Sequence, residues 1–362
     1  MLDFEFEEIL SIACEAGAMA ANYTTRGEPL RADLVLSGGG VKGIGLVGAA
    51  VALKDAGYAI QRVSGTSAGS LVGAVMAAAA QGDQLTSEQL RELALNVPYR
   101  KFRDSGPIER IPLLGPAWGL FRETGIYRGD FAHAWMRSEL KNLGVSTFGD
   151  LAIDDDQLLP ERRYRLVVTV TDLTSGQLVR LPWDYRRLYG LDPDEQLVAD
   201  AVRASMAIPF LFQPVTLDDA AGDPYTLVDG GVLSNFPIDS FDRPDGKVPR
   251  WPTFGATVIP YLPAPTFEQL IPGLGPLHGP PLLQSLITTM LVGHDQTYLN
   301  QPWVKVRAIE VDSTDIGVLD FSITRGEAEA LYDRGYQATT DFLSTWDWPA
   351  YIERFRADHR VC

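Results

Sequence analysis

The sequence predicts an α/β fold in which a mostly parallel sheet carries its site at the carboxyl ends of the strands. Two strand-to-glycine-to-helix units, and a composition suited to a large core, predict it. In the first unit the apolar run Ala32-Asp33-Leu34-Val35-Leu36 enters Ser37-Gly38-Gly39-Gly40-Val41-Lys42-Gly43, and Ile44 to Leu53 follows as a helix of small and apolar residues. In the second, Ile60-Gln61-Arg62-Val63 is the strand, Gly65-Thr66-Ser67-Ala68-Gly69 the turn, and Leu71 to Met76 with the alanine run Ala77 to Ala80 the helix. The connection between the strands, about thirty residues with its helix, has the length of a right-handed βαβ crossover. Both glycine loops then fall at one edge of the sheet, where sites form in open α/β folds. With 362 residues, 46% of them hydrophobic and 22% charged, and with motifs spread along most of the chain, one large domain with an insertion is expected.

Each glycine turn suggests a chemistry. The second has the small-serine-small pattern of a nucleophile elbow, a sharp strand-to-helix turn that lifts a serine hydroxyl clear of the backbone. It nominates Ser67 as a nucleophile at a helix N-terminus, where unpaired N–H groups and the helix dipole favour developing negative charge. The plain reading of the same letters is a glycine-lined turn capped by its serine. Gly38, Gly39 and Gly40 leave their N–H groups unobstructed, so this loop can aim donors at an oxyanion forming beside the nucleophile. A third element, Leu227-Val228-Asp229-Gly230-Gly231, carries a carboxylate from an apolar strand end into a glycine turn and nominates Asp229 as a base. Alone, that Asp-Gly pair reads as an ordinary surface turn.

Together the three elements resemble the blocks of the patatin-like phospholipase family, in order and in context: Gly38-Gly39-Gly40-Val41-Lys42-Gly43, then Gly65-Thr66-Ser67-Ala68-Gly69, then Asp229-Gly230-Gly231. Three further stretches are similar: Val168 to Gly176, Ala201 to Pro209, and Leu233-Ser234-Asn235-Phe236-Pro237, so the likeness runs over roughly residues 31 to 345. It implies a three-layer α/β/α sandwich with a helical and loop cap insertion. It also implies a lipid acyl hydrolase, of the phospholipase A or lysophospholipase kind, that cleaves carboxylic esters through a Ser-Asp dyad and an acyl-enzyme. In that scheme Ser67 attacks the ester carbonyl and Asp229 takes its proton directly, without histidine, metal or cofactor. Gly39 and Gly40, with Gly38 beside them and Ala68 adding a donor, would form the oxyanion hole. Lys42 and Gly43 would support the loop. Ser37 departs from the pattern at the loop entrance, where many relatives carry aspartate or glycine. The implied partner is a lipid or lysophospholipid substrate.

Two other readings use some of the same letters. Ser67, Asp229 and His294 occur in the chain order of a Ser-Asp-His hydrolase, but none of the four histidines (His133, His278, His294, His359) sits in a glycine turn beside an apolar strand. Gly38, Gly40 and Gly43 satisfy G-x-G-x-x-G, the dinucleotide fingerprint, yet the end of the second strand offers Gln61-Arg62-Val63-Ser64 where an acidic residue should hold the ribose. Lys42 is followed by Gly43 and not by Ser or Thr, so a phosphate loop fails too. No nucleotide is expected. A lipid-binding protein with a spoiled dyad is the alternative outside enzymology.

The rest of the chain frames the site. Residues 1–30 read as an N-terminal helical extension, 31–345 as the catalytic domain and 346–362 as a tail. The cap is expected at about residues 98–150, where Ile111 to Phe121 reads as a lid touching acyl chains or as a loop packed on the core. The stretch from Pro280 to Val292 reads as a core helix or as an interfacial one in transient contact with a membrane surface. Ala328, Leu331, Tyr332 and Tyr336 give the C-terminal segment helical spacing, and it is expected to pack on the sheet. A net charge of −16 argues against nucleic acid and against binding anionic membranes through overall charge. The acidic N-terminus lacks the basic start of a secretory signal, and Cys14 and Cys362 lack metal-ligand spacing. A cytoplasmic protein, peripheral at the membrane where it meets lipid, is expected.

Overall fold

The computed structural model describes residues 29–356 apart from 83, 105–126, 244, 246, 259–299 and 319. β1 (Leu30–Leu36), α1 (Gly43–Asp55), β2 (Tyr58–Thr66) and α2 (Ala68–Ala79) form the two units read from the sequence. The strands run longer than their apolar letters, because their parallel ladder extends from Leu30 opposite Tyr58 to Leu36 opposite Gly65; inside it Arg62 donates to both oxygens of the buried Asp33 carboxylate, at 3.1 and 2.5 Å. Next come α3 (Ser87–Leu95), the single turn α4 (Tyr99–Phe102) and α5 (Asp130–Asn142). They are followed by β3 (Leu166–Asp172), β4 (Gln177–Leu181), α6 (Tyr185–Tyr189), α7 (Val198–Ser205), β5 (Val215–Asp218), β6 (Pro224–Asp229) and β7 (Thr253–Thr257). The chain closes with α8 (Pro302–Lys305), β8 (Ala308–Glu310), α9 (Arg325–Thr345) and α10 (Trp348–Phe355).

The strands make one mixed sheet flanked by helices, a three-layer α/β/α arrangement. β3, β2, β1, β7 and β8 pair in parallel, in that order, and β4, β5 and β6 add antiparallel pairs at one end. Parallel strands are covered on both faces and read as continuous apolar runs, as β3 does with all of its residues buried.

One detail of pairing positions the site. β4 pairs with β3 along Val168–Asp172 and so occupies one of its two edges. β2 pairs with Leu166–Thr169 and β6 with Val170–Asp172, so these two must share the other edge, end to end. Thr66 lies opposite Thr169, and Asp229 lies opposite the next residue, Val170. The antiparallel β6 thus points its last residue at the end of β2, where Ser67 follows.

α1 is buried without interruption from Gly43 to Leu53, so it needs cover on all sides. α9 supplies it, and also rests on the sheet as expected: Phe254 of β7 meets Phe342 and Trp346 edge-on, with centroids 5.5 and 5.1 Å apart. Within the expected cap, α4 and α5 are regular helices, and α5 buries Ala132, Met136 and Leu140. Residues 111–121, the stretch 280–292, both cysteines and residues 1–28 of the N-terminal extension lie outside the described residues, and Leu30, expected as the last residue of that extension, opens β1. Among the described residues no helix is long and apolar enough to cross a membrane.

Candidate active site

Ser67 stands between β2 and α2 with φ 51° and ψ −121°. Among the described residues only Ser67 and Phe210 adopt positive φ without being glycine. Such backbone costs energy and persists only where the surroundings hold it. Its side chain makes no capping bond to α2, so the plain reading of the serine as a helix cap does not describe it. The turn works because Gly69 lets α2 start against the end of β1: a Cβ there would lie 2.4 Å from Leu36 O and 2.5 Å from Ser37 O. Ser67 is itself only 3% exposed.

Asp229 is fully buried at the end of β6. Its Oδ1 accepts from the Gly231 N–H at 2.8 Å, which closes the glycine turn after the strand. Burial pushes its carboxyl up to about 7, against the opposing pull of the Ser67 hydroxyl and the Gly231 N–H. The Ser67 hydroxyl is therefore close enough to favour the charged carboxylate, yet among the described residues Oδ2 has no donor in hydrogen-bonding geometry. Catalytic hydrogen bonds are often loose without substrate and tighten when it binds. The surface-turn reading of Asp-Gly fails here on burial alone.

The glycine loop lies against the serine: a Cβ on Gly38 would sit 3.1 Å from Ser67 Cβ. Its three amides are not equivalent. Gly38 N–H donates to Asn235 O at 3.0 Å, which corrects the expectation that it stands beside the other two as a donor. The Gly39, Gly40 and Ala68 N–H groups have no acceptor among the described residues. Lys42, expected as loop support, is 2% exposed, and its N–H donates to Gly39 O at 3.2 Å. Burial lowers its ammonium to about 8, partly offset by Asp315 and Asp312. Gly43 packs the start of α1 on α2, 3.1 Å from Ala68 Cβ for a Cβ built on it.

Three residues without a role in the sequence reading complete the site. Ser205, at the end of α7, accepts from the Ser67 N–H at 2.8 Å and donates to Thr169 O at 2.7 Å. Thr169 also meets the Thr66 hydroxyl with its own. Asn235 holds Gly38 from both sides, because its Nδ2 also donates to Gly38 O at 3.3 Å. Ser205 and Asn235 both fall in stretches whose family likeness was visible, but a polar letter in a similar stretch does not say which amide it meets. Of the histidines, His133 pairs with Asp200 at 2.7 Å on the exposed side of α5; His278, His294 and His359 lie outside the described residues.

The model of the patatin-like phospholipase family matches residues 34–242. The chain belongs to that family. The matched stretch holds the glycine loop, the elbow and Asp229, and a patatin-like phospholipase is a lipid hydrolase by class. Among relatives, the uncharacterised protein YqhO of Bacillus subtilis is 34% identical over 87% of this chain and 99% of its own length. An uncharacterised NTE family protein of Mycobacterium tuberculosis is 25% identical over 82% of this chain and 44% of its own. Among solved structures, VipD from Legionella pneumophila is similar with a TM-score of 0.49 at 21% identity, covering 88% of this chain and 67% of VipD. The type III effector ExoU gives 0.44 at 17%, covering 88% of this chain and 53% of ExoU.

Proposed function

We propose that this patatin-like phospholipase hydrolyses the carboxylic esters of phospholipids or lysophospholipids through a Ser67–Asp229 dyad. The observation that carries the reading is a fully buried carboxylate, raised to about 7, beside a serine held at positive φ on a helix N-terminus. An ordinary carboxylate, near 4, is a poor base for an alcohol; desolvation narrows that gap. Ser67 Oγ bonds to the ester carbonyl carbon as its proton passes to Asp229. The carbonyl oxygen takes up negative charge and accepts from the N–H groups of Gly39, Gly40 and Ala68, which have no acceptor among the described residues; away from water such donors are worth most. The tetrahedral adduct then expels the glyceryl alcohol, which leaves with the proton from Asp229. Water attacks the acyl-enzyme, giving its proton to Asp229, and Ser67 is restored as the fatty acid departs. The substrate is met at a lipid surface.

The test is release of free fatty acid from mixed phospholipid and lysophospholipid micelles by wild type, Ser67→Ala and His294→Ala. Release by wild type and by His294→Ala, abolished in Ser67→Ala, is expected. Loss in His294→Ala would replace the dyad by a triad, and no release by wild type would favour a lipid-binding role.

A further inference from the structure

We infer that Ser205 is a positioning residue that holds Ser67 at its strained angle and fixes its spacing from Asp229. The inference rests on the proposed dyad, and four contacts carry it. The parallel ladder between β2 and β3 ends at Thr66 opposite Thr169, so the next amide, that of Ser67, has left the sheet. Ser205 Oγ accepts from this amide at 2.8 Å and donates its own O–H to Thr169 O at 2.7 Å, standing between the elbow and the strand beside it. Two residues further along the same segment, Ala207 O accepts from the Asp229 N–H at 3.0 Å. Asp229 in turn pairs with Val170, the neighbour of Thr169. A single short stretch, 205–207, thus grips the backbone of both proposed catalytic residues, and β3 closes the frame between them.

The grip on Asp229 is a main-chain bond that any residue at 207 can make. The grip on Ser67 is a side-chain hydroxyl that must donate and accept at once, which Ser and Thr do and Ala does not. Ser205 is fully buried, so water cannot replace it. Without the hydroxyl the Ser67 N–H and Thr169 O are left unpaired, and the turn relaxes toward ordinary backbone angles. The Ser67 Oγ then moves relative to both Asp229 and the Gly39 and Gly40 amides. Reaction rates are steep in such displacements, about 100-fold for an error of 1 Å.

The experiment measures the rate of covalent labelling by a fluorophosphonate, which reads serine nucleophilicity without a lipid, together with kcat and KM on micelles. Wild type and Ser67→Ala are run first: labelling of Ser67→Ala as fast as wild type would remove the nucleophile itself, and this inference with it. With Ser67 established, Ser205→Ala is expected to label about 10-fold to 100-fold more slowly, with kcat falling in step and KM unchanged. Ser205→Thr keeps the hydroxyl and should recover most of the rate, whereas Ser205→Cys keeps the volume with a much weaker hydrogen bond and should not. The pH at which activity is half-maximal should stay at its wild-type value in every active variant, because Asp229 is untouched. Ser205→Ala within about threefold of wild type would overturn the role. So would full rescue by Cys with failure of Thr, the pattern of a packing residue. Should the Ala variant not fold, the Thr and Cys pair decides alone.

Discussion

At Asp229 burial works in two directions that can be measured separately. In the proposed role of base the residue must be ionised, so kcat/KM is expected to rise with pH and level off above about 7, where the buried carboxyl titrates. Stability has the opposite sign. The folded state holds this proton up to about 7, whereas the unfolded chain releases it near pH 4, so the contribution of Asp229 to stability is greatest below about 4 and falls as pH rises between the two, by on the order of 4 kcal/mol. Asp229→Asn keeps the acceptor for Gly231 and removes the buried charge. It is expected to lower turnover by about 100-fold to 10,000-fold and to melt above wild type at pH 8, the gap closing toward pH 5. Calorimetry across that range checks it, and a gap that ignores pH would mean the buried charge is not the cost. Sequence alone nominated the residue, but its burial was not legible, because Asp-Gly has the same letters in a surface turn.

Among the elements, α1 and α9 illustrate how a favourable letter changes sign with its neighbour. Alanine suits a helix better than glycine by about 1 kcal/mol. At Gly48, in the middle of α1, a Cβ would lie 2.1 Å from Tyr332 O on α9, and backbone cannot move aside as a side chain would. Gly48→Ala is therefore expected to cost about 1–3 kcal/mol. Gly326, in the first turn of α9, has nothing within 4 Å of its Cβ position, and Gly326→Ala should be neutral or gain up to about 1 kcal/mol. Urea denaturation of the two variants decides between opposite signs; a loss at both positions would point to helix register instead of contact. The spacing of Ala328, Leu331 and Tyr332 announced α9 and its buried face, but nothing in the letters said that a glycine on α1 would receive it.

For the whole molecule, one carboxylate ties distant parts of the chain together. Asp242 accepts from Arg307 at 2.7 and 2.8 Å and from Arg356 at 2.7 Å, joining the segment before β7 to the entry of β8 and the end of α10. Arg307 is 2% exposed, so Asp242→Ala would strand a buried guanidinium, at a cost of about 3–5 kcal/mol. A variant within about 1 kcal/mol of wild type in denaturant titration would show that solvent reaches Arg307. Neither the pair nor its importance can be read from three charged letters so far apart, since most such residues face water.

By itself the sequence determined the kind of fold and the kind of chemistry. Continuous apolar runs entering glycine turns suit buried parallel strands with helices behind them, and small residues around a serine permit a tight elbow. These are local demands, written where they act. The tertiary structure alone decided how the pieces meet. Because β4 fills one edge of β3, β6 must share the other with β2, which sets Asp229 beside Ser67 and buries it. The tertiary structure also closed the Gly38 amide on Asn235, left Gly39 and Gly40 without an acceptor among the described residues, and delivered the Ser205 hydroxyl to the elbow. Those outcomes depend on which backbone group lies opposite which, a property of paired strands and not of any one stretch of sequence.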